Sequence, residues 1–220
     1  MQNSTDFPKN PRNKVVRGAK RGVYNKAEIH AILDEAFICQ IAFTIDEQPY
    51  IIPTVYARDG DRLLIHGSSK NRMMAYAQNG VKLCVNITLL DGLVMARSAF
   101  HHSVNYRSVV IFGTAHEIVD LEEKNKALHK IMDNFVSNRW EEARPPNAKE
   151  LKITKIIAIQ IEEASAKVRA AGVADDKSDY DLPIWAGVVP TKMVYGTPIS
   201  DERLNPELPI PPSIQQLKNK

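Results

Sequence analysis

The sequence predicts a mainly β fold, an antiparallel barrel with peripheral helices. Apolar residues recur at every second position in several stretches: Cys39, Ile41, Phe43 and Ile45; then Val81, Leu83, Val85, Ile87 and Leu89; then Ile157, Ile159 and Ile161. Short turn signals, Asp46-Glu47-Gln48-Pro49 and Asp59-Gly60, join neighbouring stretches. Strands do not alternate evenly with helices, which argues against a doubly wound parallel sheet. At 220 residues the chain is long enough for one domain with a sizeable core.

Residues 1–16 hold two prolines and scattered charge, and read as a mobile, basic arm. Asn25 caps a short helix: Glu28 sits at its third position, and Ile29, Ile32, Leu33 and Ala36 follow at helical spacing. The alternating strand from Cys39 turns at Asp46–Pro49 and returns through Tyr50–Arg58 as a hairpin. Pro53 lies inside the return strand and has no N–H for the ladder, so that strand is interrupted or at an edge there. The run Val81–Leu89 is the clearest strand, with Asp91-Gly92 marking a bulge before Leu93–Ala96. Between Arg97 and Ser108 the chain is unusually polar for a stretch flanked by apolar strands. Asp120 and Glu123 open an amphipathic helix carrying Leu121, Leu128, Ile131, Met132 and Phe135. Residues 191–220 read as a proline-rich tail over the surface, which leaves 17–190 as the domain.

One stretch carries a chemical signal. Leu63-Leu64-Ile65-His66 is an apolar strand broken at Gly67-Ser68. Ser69 then reads as the N-cap of a helix running to Gln78, with Gly80 past its end. Lys70 and Arg72 would fall in the first turn, where the helix dipole disfavours cations. Small hydroxyls, free N–H groups and two cations together suit a bound phosphate.

Other readings are excluded or minor. A formal charge of +3 does not point to nucleic acid. The polar start lacks an apolar signal core and no run spans a bilayer, so the expected compartment is the cytoplasm. Cys39 and Cys84 fall in apolar strand patterns and read as buried thiols. His101 and His102 are adjacent, so in an extended chain they point to opposite faces and do not chelate one metal ion together. Hydrogen bonding in an interface is the favoured role for either; haem ligation and proton donation are the alternatives. Nucleophile-elbow, Walker-loop and dinucleotide fingerprints are absent from the sequence.

An ordered set of motifs resembles the FMN-binding split barrels related to pyridoxamine 5′-phosphate oxidase, in their nitroimidazole-reductase-like branch. The set comprises Ile52-Pro53-Thr54 with Arg58, His66-Gly67-Ser68, Asp91 to Ser103, Asn105 to Val109, Glu163 to Arg169, and Trp185 to Val188. The resemblance implies a homodimer with FMN at its interface. Ile52, Pro53 and Thr54 would flank the isoalloxazine with backbone groups. His66, Gly67, Ser68, Ser69, Lys70 and Arg72 would hold the phosphate end. Ser103, Asn105, Tyr106 and Arg107 would approach from the other protomer, and Trp185 would cover the ring edge. It further implies an oxidoreductase that passes electrons from a nicotinamide donor through flavin to a small organic substrate. The alternatives are a non-catalytic flavin-storage protein and a haem-binding split barrel. The oxidase proper binds the vitamin phosphate with an arginine- and histidine-containing segment after its tryptophan. Here Trp185 is followed by Ala-Gly-Val-Val-Pro, so pyridoxamine phosphate oxidation is not expected.

Overall fold

Among residues 4–219, those the computed structural model describes, nine strands form one antiparallel sheet. They are β1 (Gly22–Val23), β2 (Ile38–Ile45), β3 (Gln48–Asp59), β4 (Arg62–Ser68), β5 (Asn79–Met95), β6 (Ser103–Ile118), β7 (Thr154–Gln160), β8 (Glu163–Arg169) and β9 (Gly187–Pro190). The order β6-β7-β4-β3-β2-β5 closes on itself because β5 also pairs with β6. The result is a six-stranded barrel, with β8 and β1 attached beyond β6 and β9 beyond β5. The helices lie outside: α1 (Lys26–Glu35), α2 (Arg72–Ala77), α3 (Leu121–Phe135), α4 (Ala148–Ile153) and α5 (Pro212–Gln215).

The alternating runs become the barrel lining. Cys39, Ile41, Leu83, Val85, Ile87, Ile157 and Ile159 are buried in one core that also takes Ile29 and Leu33 of α1. Burial pushes the Cys39 thiol up to about 12, so it is an inert core group. A second, smaller cluster lies under α3, where Ala127 and Ile131 cover Ala57, Leu64 and Ile156. The hairpin turn puts Asp46 and Glu47 at φ 48° and 63°, the left-handed pair that matches strand twist. The bulge appears as a register shift between Leu90 and Gly92.

Two expectations need correction. The helix after β4 starts later and is shorter than its spacing suggests. Asn71, not Ser69, is the N-cap: its Oδ1 accepts from the N–H groups of Met73 and Met74 at 2.9 and 3.3 Å. Ser68 Oγ accepts from Lys70 N at 3.2 Å, which holds Ser69 and Lys70 in a preceding turn. Lys70 is therefore outside the helix, and only Arg72 meets the dipole of a six-residue element. The described part of the arm, residues 4–16, packs on the barrel. Phe7 is 3% exposed in the core. Arg12 pairs with Glu163 at 2.6 Å and stacks on Phe112. Phe7 is an isolated apolar residue with no period to announce it.

Candidate functional site

The barrel is open along one seam. The β3–β4 ladder runs from Asp59–Arg62 to Tyr56–Ile65 and stops. Beyond it β3 pairs only with β2, from Val55 down to Gln48, while β4 continues against β7 through Ser68. An edge of β3 at 51–55 therefore faces the end of β4 without a shared ladder. Strand alternation sorts its residues. Ile52 opposes the buried Ile41, and Thr54 opposes the buried Cys39, so both side chains turn inward. Pro53 opposes Gln40 on the outer face.

Across the seam, His66, Ser68, Ser69, Lys70 and Arg72 are all exposed, and follow one another through the turn into α2. Gly67 is what lets α2 sit close, since a Cβ there would meet Met74 Cγ at 2.9 Å. The Arg72 guanidinium lies over the Tyr50 ring, 5.2 Å from its centroid, which ties α2 back to β3. Among the described residues neither Lys70 nor Arg72 has a carboxylate partner. Desolvation holds the His66 imidazole below its ordinary pKa, which favours its neutral form. The seam thus offers strand-edge amides, two hydroxyls and two unpaired cations, a donor set that fits a phosphate-bearing planar ring.

The second predicted set lies elsewhere in the chain. Ser103, Asn105, Tyr106 and Arg107 occupy the half of β6 that pairs with β5 and β8, away from β4. Asn105 Oδ1 accepts from Arg169 Nη1 at 2.5 Å and from Ala171 N at 3.1 Å. Arg107 is engaged by two carboxylates of its own chain, Asp91 at 2.7 Å and Glu35. The sequence marks Asp91 only as part of a bulge and a motif and gives Glu35 no role, and nothing in their spacing announces the clamp on Arg107. Tyr106 opposes Leu90 and Arg169 on its two sides. Trp185 is 67% exposed beside β9. Within one chain, the structure does not bring these four β6 residues or Trp185 to the seam.

A six-stranded antiparallel barrel, open along one seam with hydroxyl and cationic side chains on its lip, defines a split barrel. The chain belongs to the pyridoxamine 5′-phosphate oxidase family, whose model matches residues 25–168. It is 36% identical to the flavocytochrome Anf3 of Azotobacter vinelandii, over 94% of this chain and 97% of that one, with a TM-score of 0.87. It is 32% identical to the FAD and heme binding protein of Mycobacterium smegmatis, over 90% and 97% of the two chains, with a TM-score of 0.86. A candidate 5-nitroimidazole antibiotic resistance protein of Bacteroides thetaiotaomicron shares the fold at 22% identity, over 67% of this chain and 86% of that one, with a TM-score of 0.56. No curated protein matches the chain. No described helix is long and apolar enough to cross a membrane.

Proposed function

We propose that this protein is a flavin-dependent oxidoreductase that works as a homodimer and also carries haem. The observation that carries the flavin is the seam: an unpaired β3 edge at 51–55 facing His66, Ser68, Ser69, Lys70 and Arg72. The shared chemistry is the FMN moiety, either alone or as half of FAD. The Mycobacterium smegmatis relative, an FAD and heme binding protein, favours the longer cofactor. When bound, the flavin supplies the electron transfer. The chain positions it: Lys70 and Arg72 neutralise phosphate charge, Ser68 and Ser69 donate hydroxyl hydrogen bonds, and the β3 edge fixes the ring plane.

The homodimer reading rests on how open this site is. All five lip residues are solvent-exposed in the single chain, so water is excluded only if a second surface covers them. The outer sheet face supplies such a surface, with Ala42, Cys84 and Phe112 in register across β2, β5 and β6 and the small Ser108 further along β6. A partner's Tyr106 would then cover the ring, while Asn105 and Arg107 act as internal braces of the β6 segment that presents it.

Haem is the second part of the reading. The two relatives at 36% and 32% identity, a flavocytochrome and an FAD and heme binding protein, align with at least nine-tenths of this chain, well beyond the matched 25–168 region. The described residues include an exposed histidine beside an apolar sheet face, a donor set that fits haem. Rapid mixing of flavin-loaded protein with a reduced nicotinamide separates an oxidoreductase from a storage protein. Bleaching of the flavin band on a turnover timescale is expected. A flavin that stays oxidised with every nicotinamide donor would leave only binding.

A further inference from the structure

The far end of the β5–β6 ribbon carries a feature that flavin binding does not use. Ser98 caps a single 3-10 turn, Ala99–His101, by accepting from Phe100 N at 3.3 Å. His102 follows, with its Nδ1 3.0 Å from the Ser98 carbonyl oxygen. A carbonyl only accepts, so Nδ1 carries the hydrogen, and in the neutral ring Nε2 is left with a bare lone pair. His102 is exposed, which leaves Nε2 open to a ligand. An imidazole with one nitrogen fixed by a backbone carbonyl and the other free is set up to bind a transition metal.

The turn is braced from beneath. The Asp175 side chain has no solvent exposure and accepts from Arg97 N at 3.0 Å and Ser98 N at 3.3 Å, with Arg97 Nη1 at 3.2 Å. Desolvation alone would raise the Asp175 pKa; the backbone hydrogen bonds from Arg97 and Ser98 and the Arg97 charge outweigh it, so the carboxylate is held below its usual range. Arg97 in turn stacks on Tyr180.

Beside His102 lies an apolar face. Leu93 opposes Val104 on one side and Val189 on the other, so the three side chains point the same way, and all three are among the exposed large hydrophobics. A Cβ on Gly187, two residues from Val189, would meet the Trp185 ring at 3.0 Å, so the indole covers that face too. His102 is two residues before Val104 and its backbone is extended, at ψ 141°, which continues the alternation onto the same side. Four exposed apolar groups beside one open imidazole nitrogen form a patch that a flat apolar macrocycle with a central metal would cover.

We propose that His102 Nε2 is an axial ligand to the iron of a haem lying on the Leu93–Val104–Val189–Trp185 face. The proposal rests on the haem reading above. The other histidines are worse placed. His30, His101 and His129 face Asp61, Asp176 and Glu141 at 3.1, 3.5 and 3.3 Å. His116 sits at the opposite end of β6, against Gly80, and His66 lies on the seam.

The test is a haemin titration of the full-length protein and of His102→Ala, His102→Gln, His101→Ala and His66→Ala, read by the Soret band and by electron paramagnetic resonance. The wild type, His101→Ala and His66→Ala are expected to give the spectrum of imidazole-ligated iron. Both His102 variants should lose it and bind haemin roughly tenfold or more weakly. Added imidazole should restore the spectrum to His102→Ala, while its FMN affinity and melting temperature stay unchanged. A His102→Ala protein that folds and keeps the wild-type haem spectrum overturns the ligand assignment and leaves the haem reading standing. A wild type that shifts no Soret band overturns both. Should His102→Ala fail to fold, His102→Gln, which keeps a donor for Ser98, decides by the same spectrum.

Discussion

At the scale of single residues, the account turns on Lys70 and Arg72. Neither has a carboxylate partner among the described residues, so removing their charges takes nothing from the folded chain except the Arg72 stack on Tyr50. A charge-assisted contact to a phosphate contributes about 1.5–3 kcal/mol. Arg72→Ala is therefore expected to weaken FMN binding roughly tenfold or more, and Lys70→Ala with Arg72→Ala further. Riboflavin, which lacks the phosphate, should bind the variants as it binds the wild type. Fluorescence titration of both flavins checks this, and an equal loss for both would place the cations away from the phosphate. His66 adds a pH dependence. Its folded pKa lies below the unfolded one, so below the unfolded value the native state binds fewer protons than the unfolded chain. Stability is then lost as pH falls through that value toward the folded pKa. A bound phosphate reverses the local field. FMN binding should therefore be accompanied by proton uptake at His66 on the acid side of neutrality, measurable by calorimetry in buffers of different ionisation enthalpy and absent in His66→Gln.

At the scale of elements, the helices are fastened to the barrel by a few buried polar contacts. The Tyr56 hydroxyl donates to Leu33 O at 2.6 Å, satisfying a last-turn carbonyl of α1 that the helix leaves unpaired. Asn134 of α3 donates to Ala36 O and Tyr56 O at 3.1 and 3.0 Å. Tyr56→Phe should cost about 1–2 kcal/mol in denaturant unfolding, since a buried carbonyl loses its partner. A cost within error would mean that water replaces the hydroxyl. The turn before His102 depends on Asp175 in the same way. With its folded pKa depressed, Asp175 stabilises that turn above the unfolded pKa, and the stabilisation is lost as pH falls through the folded value. Asp175→Ala should expose residues 97–102 to faster amide hydrogen exchange at neutral pH while leaving the barrel strands protected.

Legibility followed the range of the interaction. The period-two runs at Cys39–Ile45, Val81–Leu89 and Ile157–Ile161 became barrel strands because alternation is a local consequence of burying one face. The Asp120 cap and the Asp91-Gly92 bulge were readable for the same reason, since each is decided within a few residues. The α2 start was misplaced because Ser68, Ser69 and Asn71 are all competent caps, and three-dimensional packing of Met73 and Met74 selects Asn71. Asp175 under the Arg97 turn and Glu35 on Arg107 involve partners far apart in the chain, which no spacing rule reaches. On the candidate site, the residues from His66 to Arg72 are contiguous in the sequence, so their grouping on one lip was legible; what they bind is a matter for the titrations above. Whether the β6 residues meet that lip depends on a second copy, which one sequence read alone does not describe.

At the scale of the whole molecule, the outer sheet face and the open seam call for a second chain. Light scattering should return a dimer with flavin bound, and a flavin-loaded monomer would contradict the interface reading. The purified protein should not convert pyridoxamine 5′-phosphate to pyridoxal 5′-phosphate, because the chain after Trp185 lacks a basic segment to hold the vitamin phosphate.

The central claim is that the seam of this split barrel binds a flavin. Its most direct test is the absorption spectrum of the purified full-length protein, before and after addition of FMN or FAD, with mass identification of the ligand released on denaturation. The account predicts a bound-flavin spectrum and release of FMN or FAD. A protein that carries no flavin, and whose spectrum and fluorescence show no binding of either added flavin, would contradict it.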